Sequence, residues 1–223
     1  MFGLRAFGQY EYRPPFPRTH VARLLPAKPL AILGSPMPAL PKFREFTLWL
    51  NATSRPEVPS ATLNKLYRAR ARHKVARNFL GLRIHNGTAE LVRGYSVGLR
   101  LCLSYSAAEA MGEAVGNHVT AWEVHDQSLN APLRRIAKPL PERHDVLSKK
   151  VRASVAAYVT HEHDNVRVVA TALRHLVAHG NFTATGAGLM TKTGANAVNR
   201  LADLPLSESE RRFAAWHESI ADA

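Results

Sequence analysis

From Phe46 onward, apolar residues recur at three- and four-residue steps, the period of helices that turn one face to a core. The spacing predicts a helix from Ser60, which can cap it, to about Leu82, with Leu63, Leu66, Tyr67, Ala71, Val75, Phe79 and Leu82 inward. The turn signal His85-Asn86-Gly87 precedes a long helix from about Thr88 to Val115. It directs Leu91, Val92, Tyr95, Leu99, Cys102 and Leu103 inward and reads as the central buried helix. Residues 117–139 are less regular, with a short helix expected around Trp122.

Pro141 opens a third helix to about Tyr158, with Leu147, Val151, Val155, Tyr158 and Val159 on one side. Asp164 or Asn165 caps a fourth, Val166 to Ala178, whose stripe is Val166, Val169, Ala170, Leu173 and Val177. Gly180 then ends it as a left-handed C-terminal residue. A Gly- and Thr-rich loop, residues 183–194, leads to a last helix starting at Ser207 with the capping box Ser207-x-x-Glu210. Four main helices, no strand cluster and no internal repeat describe an all-α antiparallel helical bundle.

The helical period is missing from residues 1–45, which hold eight of the 14 prolines: Pro14, Pro15, Pro17, Pro26, Pro29, Pro36, Pro38 and Pro41. No helix survives that spacing. Residues 1–45 therefore read as an extended or disordered basic arm, and residues 46–223 as the helical domain. The prolines would break the amphipathic helix of a transit peptide, and with Lys28 they interrupt the apolar run a secretory signal needs. The alternative is that Met1 is a mis-assigned start and the arm is not part of the working protein.

Composition narrows the class. With 46% hydrophobic and 21% charged residues, the 223-residue chain has enough apolar material for a core. The one cysteine, Cys102, excludes a disulfide framework and a multi-thiolate zinc site, which makes a reducing, cytoplasmic setting the expectation. The least polar stretch free of charge, from Pro29 to Pro41, is too short and too broken to span a bilayer, so the chain reads as soluble with no membrane partner. Thirty Lys and Arg against 17 Asp and Glu give a formal charge of +13. Such a surface attracts polyanions by releasing their condensed counterions, and nucleic acid is the first partner it suggests.

The chemistry-bearing segment is Leu173-Arg174-His175-Leu176-Val177-Ala178-His179-Gly180. Arg-x4-His occurs three times, at Arg68/His73, Arg174/His179 and Arg212/His217, so the pattern alone does not choose. Only at Arg174 does an apolar stripe precede the arginine, a polar residue follow it and a glycine stop the helix after the histidine. There the sequence resembles the HEPN superfamily, with the family's arginine at Arg174, its following polar residue at His175 and its histidine at His179. The stretch from Gly94 to Leu101, ending in Tyr105-Ser106-Ala107-Ala108-Glu109, looks like the long helix before the motif helix. The resemblance covers roughly residues 60–200. It implies metal-independent RNA cleavage at a site shared by two protomers, with no cofactor, in a bacterial defence or toxin-antitoxin setting where an antitoxin is a possible partner. It equally admits a non-catalytic adaptor that binds RNA, a nucleotide or a partner protein.

The residue types suit cleavage of RNA through its own 2′-hydroxyl. That reaction needs a group that moves a proton near neutral pH and a fixed cation on the phosphate, which His and Arg supply. His179, at a helix C-terminus, meets the negative end of the helix dipole, a setting that suits a proton donor. Residues five apart on an ideal helix differ by about 140° in direction, so Arg174 and His179 do not share a face. Either the last turn unwinds at Gly180 or two copies of the helix meet in a homodimer, with His175 orienting His179 or contacting RNA. The structural alternative pairs Arg174 with a buried carboxylate such as Glu109 and leaves His179 as a helix-end residue.

Three further features compete or assist. His161-Glu162-His163-Asp164 and the pair His175/His179 have spacings that can chelate a divalent ion, but no Glu follows His175 as a metalloprotease base, and a His-rich turn is the simpler account. The helix from Ser60 carries Lys65, Arg68, Arg70, Arg72, Lys74 and Arg77 with no acid among them. Lys65, Arg68, Arg72 and Lys74 are candidates for tracking an RNA backbone without reading its bases, or form a solvated face. Phe7, Tyr10, Tyr12 and Phe16 in the arm could stack on bases. A phosphate-binding Gly-Lys-Ser/Thr loop, a Gly-x-Ser-x-Gly elbow and Gly-x-Gly-x-x-Gly after a strand are all missing, which argues against nucleotide hydrolysis and serine-hydrolase chemistry.

Overall fold

The computed structural model describes residues 40, 42–52 and 58–222. The proline-rich stretch before them, with the aromatic residues Phe7, Tyr10, Tyr12 and Phe16, lies outside the described residues. Among the described residues seven α-helices run in chain order: α1 (Phe43–Ala52), α2 (Ser60–Arg77), α3 (Ala89–Ala114), α4 (Gln127–Ala137), α5 (Lys149–Val159), α6 (Arg167–Ala178) and α7 (Lys192–Ala221). Short 3-10 turns at Val119–Ala121 and Leu140–Glu142 join them. Among the described residues there is no strand, only an isolated antiparallel bridge between His125 and Asn165. None of these helices is long and apolar enough to cross a membrane.

The central helix is α3, as the sequence suggests, and it packs against α2, α6 and α7. Its buried face is not the expected one. Leu91, Val92, Tyr95, Leu99, Cys102 and Leu103 are half-buried, while Gly94, Val97, Gly98, Leu101, Ser104, Tyr105, Ala107, Ala108 and Met111 are buried. Small residues explain the rotation: a Cβ on Gly94 would sit 2.5 Å from Ala184 Cβ, and one on Gly98 would sit 2.8 Å from the Phe182 ring. Close approach rather than side-chain bulk selects the face.

The same correction applies to α2. It ends at Arg77, before Phe79 and Leu82, and Ser60 is its first residue rather than a side-chain cap. Its buried residues are Leu66, Ala69, His73 and Ala76, whereas Tyr67 and Val75 are 44% and 55% exposed. Ala69 belongs to a cluster with Ala110, Met111 and Ala114 of α3, and Ala76 to one with Ala107 and Leu206. His73, 1% exposed, places Nε2 3.2 Å from Glu210 Oε1 of α7, and Arg77 donates to the same oxygen at 2.6 Å.

The last helix begins at Lys192, capped by Thr191, and passes unbroken through Pro205. Ser207 lies inside it, exposed, and does not cap. The carbonyl of Pro205 accepts the Ser209 hydroxyl at 2.6 Å. The length of α7 lets Phe213 reach a second apolar cluster with Leu40, Phe43, Phe46, Leu66 and Met111. Phe213 stacks on Phe43 at 5.6 Å and meets Phe46 edge-on at 5.7 Å. Thus α1 starts three residues inside the stretch read as arm, and Leu40 and Phe43 are core residues.

The region that carries the motif follows expectation more closely. Ser148 caps α5, so the third helix starts later than Pro141. At the start of α6, the Asn165 side chain accepts from the backbone N–H of Arg167 and of Val124, tying this end to the chain after Trp122. Gly180, at φ +69°, stops the helix in the left-handed region.

Candidate functional site

Val168, Val169, Ala170, Ala172, Leu173 and Leu176 bury one face of α6. That anchoring sets the azimuth of Arg174, His175 and His179, which stay partly or fully exposed. Arg174 turns toward α3. Its Nη2 donates to Glu109 Oε2 at 2.8 Å, and its guanidinium lies 5.8 Å from the Tyr105 ring centroid, within cation–π range. The pair is 28% and 33% exposed, open enough for solvent to weaken it.

His179 is the C-cap residue of α6; its N–H bonds to the carbonyl of His175, and the N–H of Gly180 bonds to that of Val177. The rings of His175 and His179 stack in parallel, 4° apart in plane with centroids at 6.0 Å. Burial holds the His175 ring below the usual imidazole range, and the nearby charges of Arg174 and His179 push it the same way, against an opposing pull from Glu109. His175 is therefore neutral near pH 7, with one ring nitrogen free to accept a proton. It feels both Arg174 and His179, the two residues that helix geometry alone directs apart.

The other two Arg-x4-His matches are structural. Arg68 is exposed and donates through Nε to the Asn64 carbonyl, while His73 is buried. Arg212 pairs with Glu208 and lies over the Trp122 ring, while His217 packs on Phe213 and Phe46.

The histidine-rich turn also has local work. His163 Nδ1 accepts the Asn165 N–H and Nε2 lies 3.1 Å from the Ser154 carbonyl, while Asp164 pairs with Arg134. Among the described residues, no three His, Cys, Asp or Glu side chains converge as a metal-binding group.

On α2, Arg68, Arg72 and Lys74 are exposed and Lys65 is half-buried, without an ion-pair partner among the described residues. Glu109 faces α6, whereas its neighbours Ala110 and Met111 belong to the apolar cluster that includes Leu66 and Ala69 of α2. The basic helix and the motif helix thus flank α3 at the same level.

No family model, curated protein or solved structure matches this chain.

Sequence reasoning did not single out the groove beside His175, about 220 Å³ in volume and formed by α5, α6 and the turn at Thr120. Its signal was present: Arg167, Thr171 and His175 recur every four residues along one face of α6.

Proposed function

We propose that the protein is a metal-independent endoribonuclease of HEPN type, acting as a homodimer. The observation that carries this reading is the stacked His175–His179 pair next to Arg174 at the open end of α6. In the proposed reaction the RNA 2′-hydroxyl attacks the adjacent phosphorus as its proton passes to a neutral imidazole, for which His175 is in the right state. The bond from phosphorus to the 5′-oxygen breaks, and that oxygen takes a proton from His179 in its protonated form. The products are a 2′,3′-cyclic phosphate and a 5′-hydroxyl. Arg174 holds the phosphate oxygens, exchanging Glu109 for the substrate.

Two copies of α6 meeting about a two-fold axis double the available imidazoles and guanidinia. Lys65, Arg68, Arg72 and Lys74 of α2 position the strand electrostatically. The biological setting that fits is bacterial defence or a toxin-antitoxin pair, with an antitoxin as partner.

The second reading, a non-catalytic helical adaptor for RNA, a nucleotide or a protein, is favoured by one observation: Glu109 already neutralises Arg174. Incubating the protein with structured and unstructured RNA in excess EDTA separates the two. Cleavage abolished by Arg174→Ala and by His179→Ala is the expected result. RNA binding without cleavage in the parent establishes the adaptor instead.

A further inference from the structure

The groove beside His175 is lined by Thr120, Lys150, Ser154, Arg167, Thr171 and His175, with Val151 and Val168 as its apolar contribution. It contains no carboxylate. Arg167 spends only Nε, on the Trp122 carbonyl at 2.8 Å, so its two terminal nitrogens have no acceptor among the described residues. Lys150 is exposed and has no acidic partner there either. Of the other half-buried arginines, Arg77, Arg100, Arg134 and Arg174 are matched by an acid, whereas Arg93 and Arg152 bond to carbonyls, with His144 also beside Arg152; neither of these two lies in a groove with a second unmatched cation. A concave site with two unmatched cations and no acid is shaped for an anion.

Its layout narrows the anion. The short connection after α5 turns α6 back alongside it, so Lys150 lies toward the His175 end and Arg167 at the other. Arg167 and His175, eight residues apart on one helix, are separated by about 12 Å along the axis. Between them the wall carries hydroxyls. Thr171 is fixed, its Oγ1 donating to the Arg167 carbonyl and lying 2.8 Å from the Tyr105 hydroxyl, so it presents its methyl and one lone pair. Drug-sized ligands occupy about 300–1,000 Å³, and 220 Å³ is smaller. The groove holds part of a ligand, not a whole nucleotide with its base.

We propose that this groove binds a ribose flanked by two phosphates, one phosphate against Arg167 and Thr120, the other against Lys150 and His175, with the base outside. That unit comes from an internal nucleotide of an RNA strand or from a free nucleoside 3′,5′-bisphosphate. The first source rests on the nuclease reading and places the groove as the seat of a nucleotide next to the cleaved bond.

The test uses the full chain and two probes that it cannot cut: a fluorescent 2′-O-methyl oligonucleotide, and adenosine 3′,5′-bisphosphate added directly and as competitor. Lys150→Glu and Arg167→Gln are each expected to weaken binding about tenfold, and each to lower the logarithmic salt slope by about one. Lys138→Glu, an equal charge change at an exposed residue outside the groove, is the control. Binding of the oligonucleotide identifies a strand site, and binding of the bisphosphate alone a small-molecule site; both uphold the groove. The proposal is overturned if neither probe binds, or if Lys150→Glu loses no more than Lys138→Glu. Lys150 has no partner to lose, so its variant reports on the groove even if Arg167→Gln disturbs the fold. Because neither probe is cleaved, failure of nuclease activity leaves this outcome separate.

Discussion

Arg174 donates to Glu109 at 2.8 Å, and this ion pair joins α6 to α3 at the point where the motif begins. Because both partners are about one-third exposed, the pair contributes little to stability, at most about 1 kcal/mol. Its larger effect is on the availability of the guanidinium. Glu109→Gln is expected to leave the urea midpoint nearly unchanged and to tighten RNA binding several-fold, up to about tenfold. A fluorescence titration with RNA at fixed salt measures it; weaker binding in the variant would show that Glu109 helps to hold the substrate.

The His175 ring reports on its neighbours. Its protonation is disfavoured by burial, Arg174 and His179 and favoured by Glu109. His179→Ala is therefore expected to raise the His175 pKa, and Glu109→Gln to lower it further, both read by NMR titration of the imidazole. With a folded value below the unfolded one, His175 adds stability above the ordinary imidazole value of 6.5 that is lost as pH falls through its folded pKa. A His175 titration that His179→Ala leaves unchanged or lowers would mean that the stacked arrangement does not persist in solution.

The contact between α2 and α7 has its own acid sensitivity. Burial alone would push the Glu210 carboxyl up, but His73 and Arg77 outweigh it and hold the carboxyl below its ordinary 4.5. A depressed carboxylate contributes stability at neutral pH that disappears as pH drops through its folded value. Urea midpoints measured from pH 7 to pH 3 are expected to fall below about 4.5, and less steeply in Glu210→Gln. The variant should already be weaker at pH 7, since it removes the negative charge that faces Arg77 and the buried His73.

Phe46 tests whether the chain before α2 belongs to the folded domain. It is fully buried among Phe43, Phe213 and Trp216. Removing a ring of this kind costs about 3–5 kcal/mol. Phe46→Ala is expected to lower stability by that amount in chemical denaturation, whereas Leu48→Ala, at a 59% exposed site, should cost far less.

Helix identity was legible in the sequence because period and end signals are local. The start and end of α3, the segment of α6 and the left-handed stop at Gly180 all follow from neighbours in the chain. The pairing of Arg174 with Glu109 was readable only as one alternative, since 65 residues separate them. The groove went unread because it takes residues from α5, α6 and the turn at Thr120, three places that no single pattern joins.

What the chain alone determined was an all-helical architecture, a strongly basic surface and a helix ending in Arg174, His175, His179 and Gly180. The tertiary structure decided which faces are inside. On α2 and α3, alanines and glycines displaced bulkier residues because helices approaching closely gain more from fitted backbones than from large side chains. It also carried α7 unbroken through Pro205 and Ser207, although the Ser207-Glu210 pattern read as a helix start, because long-range packing outweighs a local capping signal. And it set two cations, Lys150 and Arg167, in one groove without an acid, an arrangement that depends on how helices pack and not on the order of residues within any of them.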